Sequence, residues 1–259
     1  MLKAIIFDLD DTLLWDSRSV SESFKETCKL AEDKNPVIDP IQLENRVRQE
    51  ARTLYASYPT YKFTQMIGIN PFEGLWGEFN DEGESFKQLN RIAPQYRKDV
   101  WTNGLQAIGV NDSHLGLTLA NAFVAYRKKN SFVYQDTFSV LDKLYKKYRL
   151  ALLTNGSPDL QQTKLAMTAE LERYFEQIVI SGEFGKGKPD PGIFQYMLKQ
   201  LGVAKDEVLM VGDNLHTDIL GASRAEIASI WINRNNLDNN EIPTYEVNRL
   251  SEILSIIKE

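Results

Sequence analysis

A short apolar run near the beginning of the chain ends abruptly in carboxylates. Every residue of Ala4–Phe7 is apolar, and Asp8, Asp10 and Asp11 follow within four positions. An apolar run without alternation is typical of a strand that is buried on both faces of a parallel sheet. Because ligands bind beyond the carboxyl ends of such strands, the sequence predicts that these carboxylates line a binding crevice.

The spacing of the carboxylates indicates a metal. Asp8 and Asp10 are two positions apart, so in an extended chain their side chains project to the same side. Several carboxylates in one cleft repel one another, and a hard divalent cation with oxygen ligands, such as Mg2+, keeps them ionised. We therefore expect Mg2+ to be the cofactor.

Apolar runs later in the chain predict four further strands, at 149–153, 178–181, 208–211 and 228–232. The first of these runs leads into Thr154, Asn155 and Gly156. The Thr154 hydroxyl can donate to a phosphate oxygen, and Asn155 and Gly156 offer N–H groups near the start of the next helix, where anions are favoured. This strand end is therefore a candidate phosphate site.

The next two strands are followed by a lysine and by two more aspartates. Lys188 lies in a loop that contains several glycines and prolines, and its ammonium is a point charge that suits both a phosphate and a carboxylate. Gly212, Asp213 and, five residues later, Asp218 follow the run at 208–211. Each polar group thus stands at the end of a predicted strand.

These four patterns resemble, in the same order, the four motifs of the haloacid dehalogenase (HAD) superfamily. They are Asp-x-Asp-x-Thr from Asp8, Thr-Asn-Gly from Thr154, the lysine at Lys188 and Gly-Asp-x4-Asp from Gly212. The resemblance covers the whole chain. It implies an α/β fold, in which a doubly wound parallel sheet carries an inserted, all-helical cap domain of the C1 type.

The resemblance also implies roles for these residues. Asp8 is expected to be the nucleophile that forms an aspartyl phosphate, and Asp10 to protonate the leaving group and then activate water. The residues expected to hold the phosphate are Thr154, Asn155, Gly156 and Lys188, of which Thr154 and Lys188 also count as catalytic. The expected metal ligands are Asp8, Asp213 and the backbone carbonyl of Asp10, with Asp218 either binding the metal through water or holding Lys188.

The implied activity is Mg2+-dependent hydrolysis of a small phosphorylated metabolite. The candidate substrates are phosphoserine, a nucleoside monophosphate, a sugar phosphate and phosphoglycolate. A dehalogenase has no alkoxide to protonate, so the second aspartate, Asp10, argues against dehalogenation. Phosphonate hydrolases of the superfamily use a cap lysine, for which this chain offers no identifying context. A phosphomutase and a catalytically inactive, ligand-binding relative remain as alternatives.

Helical periodicity fills most of the segment between the first two strands. The predicted domains are a catalytic core of residues 1–14 and 135–259 and a helical cap of residues 15–134. Within the cap, two prolines and three glycines interrupt the stretch 58–77, which is predicted to be an irregular loop. Long loops in compact domains often carry function, so Lys62 and Trp76 in this stretch are candidates for substrate specificity.

Composition limits the partners of the chain. A net charge of −6 and a pI near 5.2 argue against nucleic acid or an anionic membrane as the main partner, because both favour basic surfaces. The single cysteine, Cys28, excludes an intrachain disulfide. Met1 stands close to the first strand and no apolar run reaches about 18 residues, so we expect a cytoplasmic protein, either monomeric or homodimeric.

Overall fold

The computed structural model of the protein describes residues 1–238 and 243–257. In these residues, six parallel strands form one sheet in the order β3-β2-β1-β4-β5-β6. The strands are β1 Ala4–Phe7, β2 Arg149–Thr154, β3 Gln177–Ile180, β4 Val208–Gly212, β5 Ala228–Ile232 and β6 Tyr245–Val247. The α/β fold and the parallel sheet predicted from the sequence are confirmed.

Helices connect these strands and fill the long insertion after β1. The α-helices are α1 Asp16–Lys34, α2 Pro40–Ser57, α3 Tyr61–Ile67, α4 Pro71–Gly74, α5 Glu84–Ala107, α6 Ser113–Lys129, α7 Thr137–Leu144, α8 Pro158–Ala166, α9 Ser181–Phe184, α10 Pro191–Leu201, α11 Leu220–Arg224 and α12 Ile253–Ile256. A single turn of π-helix, Leu215–Ile219, joins β4 to α11. None of the helices among the described residues is long and apolar enough to cross a membrane.

The chain divides into two compact units. One contains Met1–Trp15, Phe132–Gly156 and the described residues from Gln161 onward, and it includes the whole sheet. The other contains Asp16–Ser131 together with Ser157–Leu160, and it includes the helices from α1 to α6.

The sheet of the first unit is covered on both faces. Alternate residues of β1 point to opposite sides, so that Ile5 and Phe7 belong to one apolar core and Ala4 and Ile6 to the other. The first core includes side chains of α7 and α12, and the second includes side chains of α10. This double burial explains why β1 carries no polar residue before Asp8.

In the second unit, α2 begins after a capping aspartate that is followed by proline. Asp39 caps the helix by accepting hydrogen bonds from the N–H groups of Ile41 at 2.8 Å and Gln42 at 3.3 Å, and Pro40 occupies the first helical turn. Proline suits this position because its missing N–H would have had no partner inside the helix.

The prediction of an irregular loop over 58–77 is wrong, because this stretch contains the two short helices α3 and α4. Its glycine and proline residues end and begin helices rather than prevent them. Gly68 closes α3 in the left-handed conformation, with φ 83°. Asn70 caps α4 in a reciprocal pair of hydrogen bonds with Glu73, and Pro71 stands at the first helical position.

Candidate active site

The polar strand ends of the first unit meet at one edge of the sheet. β1 lies between β2 and β4 with its residues level with theirs, since Phe7 is the partner of Leu152 on one side and of Val211 on the other. The Asp8 N–H continues this pairing by donating to the Val211 carbonyl at 2.9 Å. Residues that follow the three strands are therefore brought together, although they are far apart in sequence.

Lys188 occupies the middle of this edge and bridges two carboxylates. Its ammonium nitrogen lies 2.5 Å from Asp8 Oδ1 and 2.7 Å from Asp218 Oδ1, and it donates to the Leu153 carbonyl at 2.7 Å. Lys188 is only 5% exposed. Burial alone lowers the pKa of such an amine, but the carboxylates of Asp218 and Asp8 outweigh burial and raise the pKa of Lys188. Lys188 is therefore charged at neutral pH.

Three carboxylates form a cluster beside Lys188. Oxygen atoms of Asp8, Asp213 and Asp218 all lie within 4.8 Å of one another. Burial, with the negative charges of neighbouring aspartates, raises the pKa of Asp8 to about 7 and that of Asp213 to about 9. A divalent cation would offset the repulsion between these carboxylates when they ionise. Carboxylate oxygens are also the ligands that a hard divalent cation prefers, so the cluster fits such a cation well.

The backbone around the cluster is arranged to hold it. A Cβ atom at Gly212 would lie 2.3 Å from Asp218 Oδ2, so only glycine lets Asp218 approach β4 this closely. Asp218 Oδ2 also accepts the Asn214 N–H at 3.1 Å. The Asp213 carboxylate accepts the Thr12 hydroxyl at 3.3 Å, and its backbone carbonyl accepts the Trp231 indole N–H at 2.7 Å. Asp213 and Asp218 are thus fixed from several sides.

Asp10 has a different environment from Asp8. Its Oδ2 atom accepts hydrogen bonds from Lys164 Nζ at 2.8 Å and from Gln161 Nε2 at 3.0 Å. The Asp10 side chain is not a member of the carboxylate cluster found in the described residues. Gln161 Nε2 also donates to Thr154 Oγ1 at 2.7 Å, so the same amide contacts Asp10 and the predicted phosphate-binding hydroxyl.

Gln161 and Lys164 were not singled out from the sequence. Polar residues in a helix normally face solvent, and nothing in the spacing of Pro158–Ala166 marks these two as buried. One feature of the sequence could have linked them to the site. They are three residues apart, and so on one face, in the helix that follows Thr-Asn-Gly.

The side chain of Asn155 organises the loop that carries Lys188. Asn155 Oδ1 accepts the Lys188 N–H at 2.8 Å, and Asn155 Nδ2 donates to the Lys188 carbonyl at 3.0 Å. The Gly156 N–H donates to Ser181 Oγ at 2.8 Å. In this structure the Gly156 N–H thus has a partner within the protein, and its use as a phosphate donor stays a prediction.

Lys62 and Trp76, the two cap residues predicted to contribute to substrate specificity, lie in the second unit. Lys62 is exposed on α3. Trp76 follows α4 and is only 1% exposed, and the guanidinium carbon of Arg127 lies 4.6 Å from the centre of its ring. Trp76 is therefore part of the interior of the structure, whereas Lys62 is accessible.

Comparison with known proteins agrees with this geometry. A sequence profile of haloacid dehalogenase-like hydrolases matches residues 2–226. Phosphoserine phosphatase of Thermus thermophilus is 34% identical over 236 residues, which are 90% of this chain and 89% of the relative. Human N-acylneuraminate-9-phosphatase is 27% identical over 263 residues, which are 99% of this chain and 94% of the relative.

A solved structure shows the same fold. The HAD-hydrolase YfnB from Bacillus subtilis, bound to magnesium, matches with a TM-score of 0.68 and 19% identity over 100% of this chain and 99% of its own. The fold, the ordered motifs and the profile match together show that the chain belongs to the haloacid dehalogenase-like hydrolases. Within that family it is a phosphatase.

Proposed function

We propose that the protein hydrolyses its phosphomonoester through an aspartyl phosphate on Asp8, with Mg2+ as the cofactor. The observation that carries this proposal is the separation of two carboxylates into different environments. Asp8 lies against the Lys188 ammonium and among metal-competent carboxylates, whereas Asp10 is held by Lys164 and Gln161. Two carboxylates in different surroundings can divide nucleophilic and acid–base work between them.

In the first half of the reaction, an Asp8 oxygen attacks phosphorus, and the ester oxygen leaves with a proton from Asp10. In the second half, Asp10 takes a proton from water as the water attacks the phosphoryl group, and the bond between phosphorus and Asp8 breaks. Lys188 and the Thr154 hydroxyl offer positive charge and a hydrogen bond to the phosphoryl oxygens. Mg2+ held by Asp8, Asp213 and the carbonyl of Asp10, near Asp218, would neutralise further charge there.

We propose phosphoserine as the first candidate substrate, because the Thermus phosphatase that shares 34% identity with this chain is named for it. Nucleoside monophosphates, sugar phosphates and phosphoglycolate are the other candidates. A panel of these esters, assayed with Mg2+ for released inorganic phosphate and free alcohol, ranks them by kcat/KM. Transfer of the phosphoryl group to a second metabolite in place of its release would favour the phosphomutase alternative.

A cytoplasmic location stays a prediction, as does a monomeric or homodimeric state.

The two aspartates can be separated by mutation. Asp8→Asn is expected to abolish both turnover and the acid-stable labelling of the protein by a radioactive phosphate ester. Asp10→Asn is expected to slow hydrolysis of an alkyl ester about a hundredfold or more. Hydrolysis of an activated aryl ester is expected to slow much less, because the aryl leaving group needs little protonation. Asp206→Asn changes an exposed aspartate and serves as the control. Turnover by Asp8→Asn at the wild-type rate would contradict the proposed nucleophile.

We further propose that Lys62 contributes to recognition of the leaving group. It is an exposed cation on α3, so its replacement by alanine removes no packing. Lys62→Ala is expected to lower kcat/KM for the best metabolite about tenfold, with little change for a small aryl phosphate. The exposed Lys87→Ala, at the start of α5, is the matched control. Equal values for wild type and Lys62→Ala on the metabolite would remove Lys62 from the specificity site.

Trp76 is also proposed to contribute to specificity, but alanine is an unsuitable probe for it. A buried tryptophan replaced by alanine leaves a cavity that costs about 3 to 5 kcal/mol of stability. Trp76→Phe keeps an aromatic ring against Arg127 and is the better variant. A specificity role predicts a drop in kcat/KM for the metabolite without a change in melting temperature, and a lower melting temperature with unchanged specificity argues for packing alone.

A further inference from the structure

Two polar side chains of α8 are buried against the reaction centre. Gln161 has no exposed surface and Lys164 is 2% exposed. Gln161 and Lys164 are three positions apart, which places both on one face of α8. Removing an ammonium and an amide from water is costly unless both are hydrogen-bonded, so such a pair needs an explanation.

Both side chains direct N–H groups at one oxygen of Asp10. Lys164 Nζ lies 2.8 Å and Gln161 Nε2 lies 3.0 Å from Asp10 Oδ2. Two donors that converge on the same oxygen fix the rotation of the carboxyl group. Since that oxygen is already occupied by donors, one of them charged, the proton exchanged with the substrate is directed to Asp10 Oδ1.

Gln161 also sets the hydrogen bonding of Thr154. Its Nε2 atom also lies 2.7 Å from Thr154 Oγ1 and 2.7 Å from the Asn155 carbonyl oxygen, so its two hydrogens are shared among these two acceptors and Asp10. A hydroxyl has one hydrogen and can accept as well as donate. Because Gln161 supplies the hydrogen in its bond to Thr154, the hydroxyl hydrogen of Thr154 makes only a long bond to the Asn155 carbonyl, at 3.5 Å, and can turn from it to a phosphate oxygen.

The surroundings also determine the orientation of the Gln161 amide. A flipped amide would place Gln161 Oε1 against the Asp10 carboxylate and the Asn155 carbonyl, which are both acceptors. Only the orientation with Nε2 toward these oxygens is compatible with them. The amide therefore acts as a donor toward Asp10 and Thr154 together.

We propose that Lys164 and Gln161 are positioning residues for the phosphatase reaction. Lys164 holds the carboxyl group of Asp10 in the orientation for proton transfer to the leaving group, and Gln161 couples that orientation to the phosphate-binding hydroxyl of Thr154. The proposal rests on the proposed function, in which Asp10 is the general acid. It adds two residues of α8 that no motif of the sequence marked.

The first test compares leaving groups. Lys164→Met keeps the length of the side chain but removes its charge and its donors. It is expected to lower kcat for an alkyl phosphate about tenfold or more, while kcat for p-nitrophenyl phosphate falls less than about threefold. Lys164→Arg restores a charged donor and is expected to recover part of the alkyl activity. Lys199→Met, an exposed lysine of α10, is the matched control.

The second test separates the two residues. Gln161→Leu is expected to raise the inhibition constant of inorganic phosphate about fivefold, because the Thr154 hydroxyl loses its orientation, and also to lower alkyl activity. Lys164→Met is expected to change phosphate inhibition less than about twofold. Gln162→Leu alters the exposed neighbour of Gln161 and should change neither quantity.

The third test asks whether Lys164 acts through Asp10. In an Asp10→Asn background, Lys164→Met should cause no further change in the ratio of alkyl to aryl activity, since residues that act as a unit are not additive. A structural role alone predicts the same additional loss in both backgrounds. Melting temperatures establish which variants are folded, and Gln161→Leu and Lys164→Arg carry the test if Lys164→Met does not fold.

The results distinguish the positioning proposal from the proposed function. If Asp8→Asn or Asp10→Asn leaves alkyl turnover unchanged, the proposed function is wrong. If both aspartates are needed but Lys164→Met lowers alkyl and aryl turnover equally, or lowers neither, the positioning proposal is overturned and the proposed function stands. An alkyl-specific loss that disappears in the Asp10→Asn background supports the proposal.

Discussion

At the scale of the residue, one buried lysine compensates the negative charge of the site. Lys188 contacts Asp8, 180 positions away in the sequence, and Asp218. All three are nearly excluded from water. Separating such charges from water is tolerated only because they are paired at short distance, and removal of the cation leaves two carboxylates facing each other.

This arrangement predicts that Lys188→Met lowers both stability and activity. The free energy of unfolding is expected to fall by about 3 kcal/mol at pH 8, because the partners of Lys188 remain buried without a counter-charge. Denaturant unfolding in the absence of metal measures this change. Lys186→Met is the matched control, since that lysine is exposed and pairs with Asp190 at 3.4 Å. An exposed pair of this kind contributes between about 0 and 1 kcal/mol. Equal losses in the two variants would contradict the buried-pair argument.

At the same scale, the sequence predicted chemistry better than it predicted contacts. The residues that end strands, such as Asp8 and Asp213, could be assigned because parallel strands bring their carboxyl ends together. The contacts of Asn155 could not be assigned, because an amide serves equally as a phosphate donor or as a bridge to the Lys188 backbone. Lys164 was missed because a buried lysine and an exposed lysine look the same in a helical pattern.

At the scale of the element, two helices of the second unit approach closely at a glycine. A Cβ atom at Gly104 in α5 would lie 2.5 Å from Cγ2 of Val47 in α2 and 3.3 Å from its Cα. Valine is stiff about its first side-chain torsion, so it cannot rotate away without strain. The glycine lowers the helix propensity of α5, yet it permits the packing of α2 against α5.

Gly104→Ala is therefore expected to destabilise the protein, although alanine forms helices better than glycine. The gain in helix propensity is about 1 kcal/mol, and overpacking costs about 1 to 3 kcal/mol, so the net loss is about 1 kcal/mol. Denaturant unfolding gives this value. Gln106→Ala, on an exposed position of the same helix, should change stability by less than about 0.5 kcal/mol. A more stable Gly104→Ala protein would show that α5 can move away from Val47.

Elements with a strong apolar pattern could be predicted, and those without one could not. β5 at Ala228–Ile232 is apolar at most positions and was predicted with its observed bounds. β6 was missed because it is a three-residue edge strand in which only Val247 is buried. The short helices α3 and α4 were missed because glycine and proline were interpreted as breakers, although Gly68 and Pro71 are a stop and a start signal.

At the scale of the whole molecule, the order of the strands creates the site. β1 comes first in the chain but lies in the interior of the sheet, between β2 and β4. Its carboxyl end is therefore next to the ends of strands that begin more than a hundred residues later. This placement concentrates negative charge at one edge, where burial keeps Asp8 and Asp213 protonated to a higher pH than usual. We expect this acidic edge to make stability dependent on pH and on a bound divalent metal.

The dependence on pH has a definite sign in the metal-free protein. An aspartate in an unfolded chain has a pKa of about 3.9. In the folded protein, burial and neighbouring charges raise the pKa to about 7 for Asp8 and about 9 for Asp213. Between the pKa values of the unfolded chain and those of the folded protein, the folded state binds more protons than the unfolded state. The stability associated with the two groups is thus complete below about pH 4 and is lost as pH rises through 7 and 9.

We therefore expect the melting temperature in EDTA to fall between pH 6 and pH 8, and Mg2+ to raise it more at pH 8 than at pH 6. A bound cation favours the ionised carboxylates, so it stabilises most where their ionisation is otherwise most costly. Thermal melting in EDTA and in excess MgCl2 at the two pH values measures both effects. Asp213→Asn removes the group with the higher pKa, and it should reduce both the pH dependence and the Mg2+ shift. A melting temperature that rises with pH in EDTA, or an equal Mg2+ shift at both pH values, would show that the cluster does not control stability.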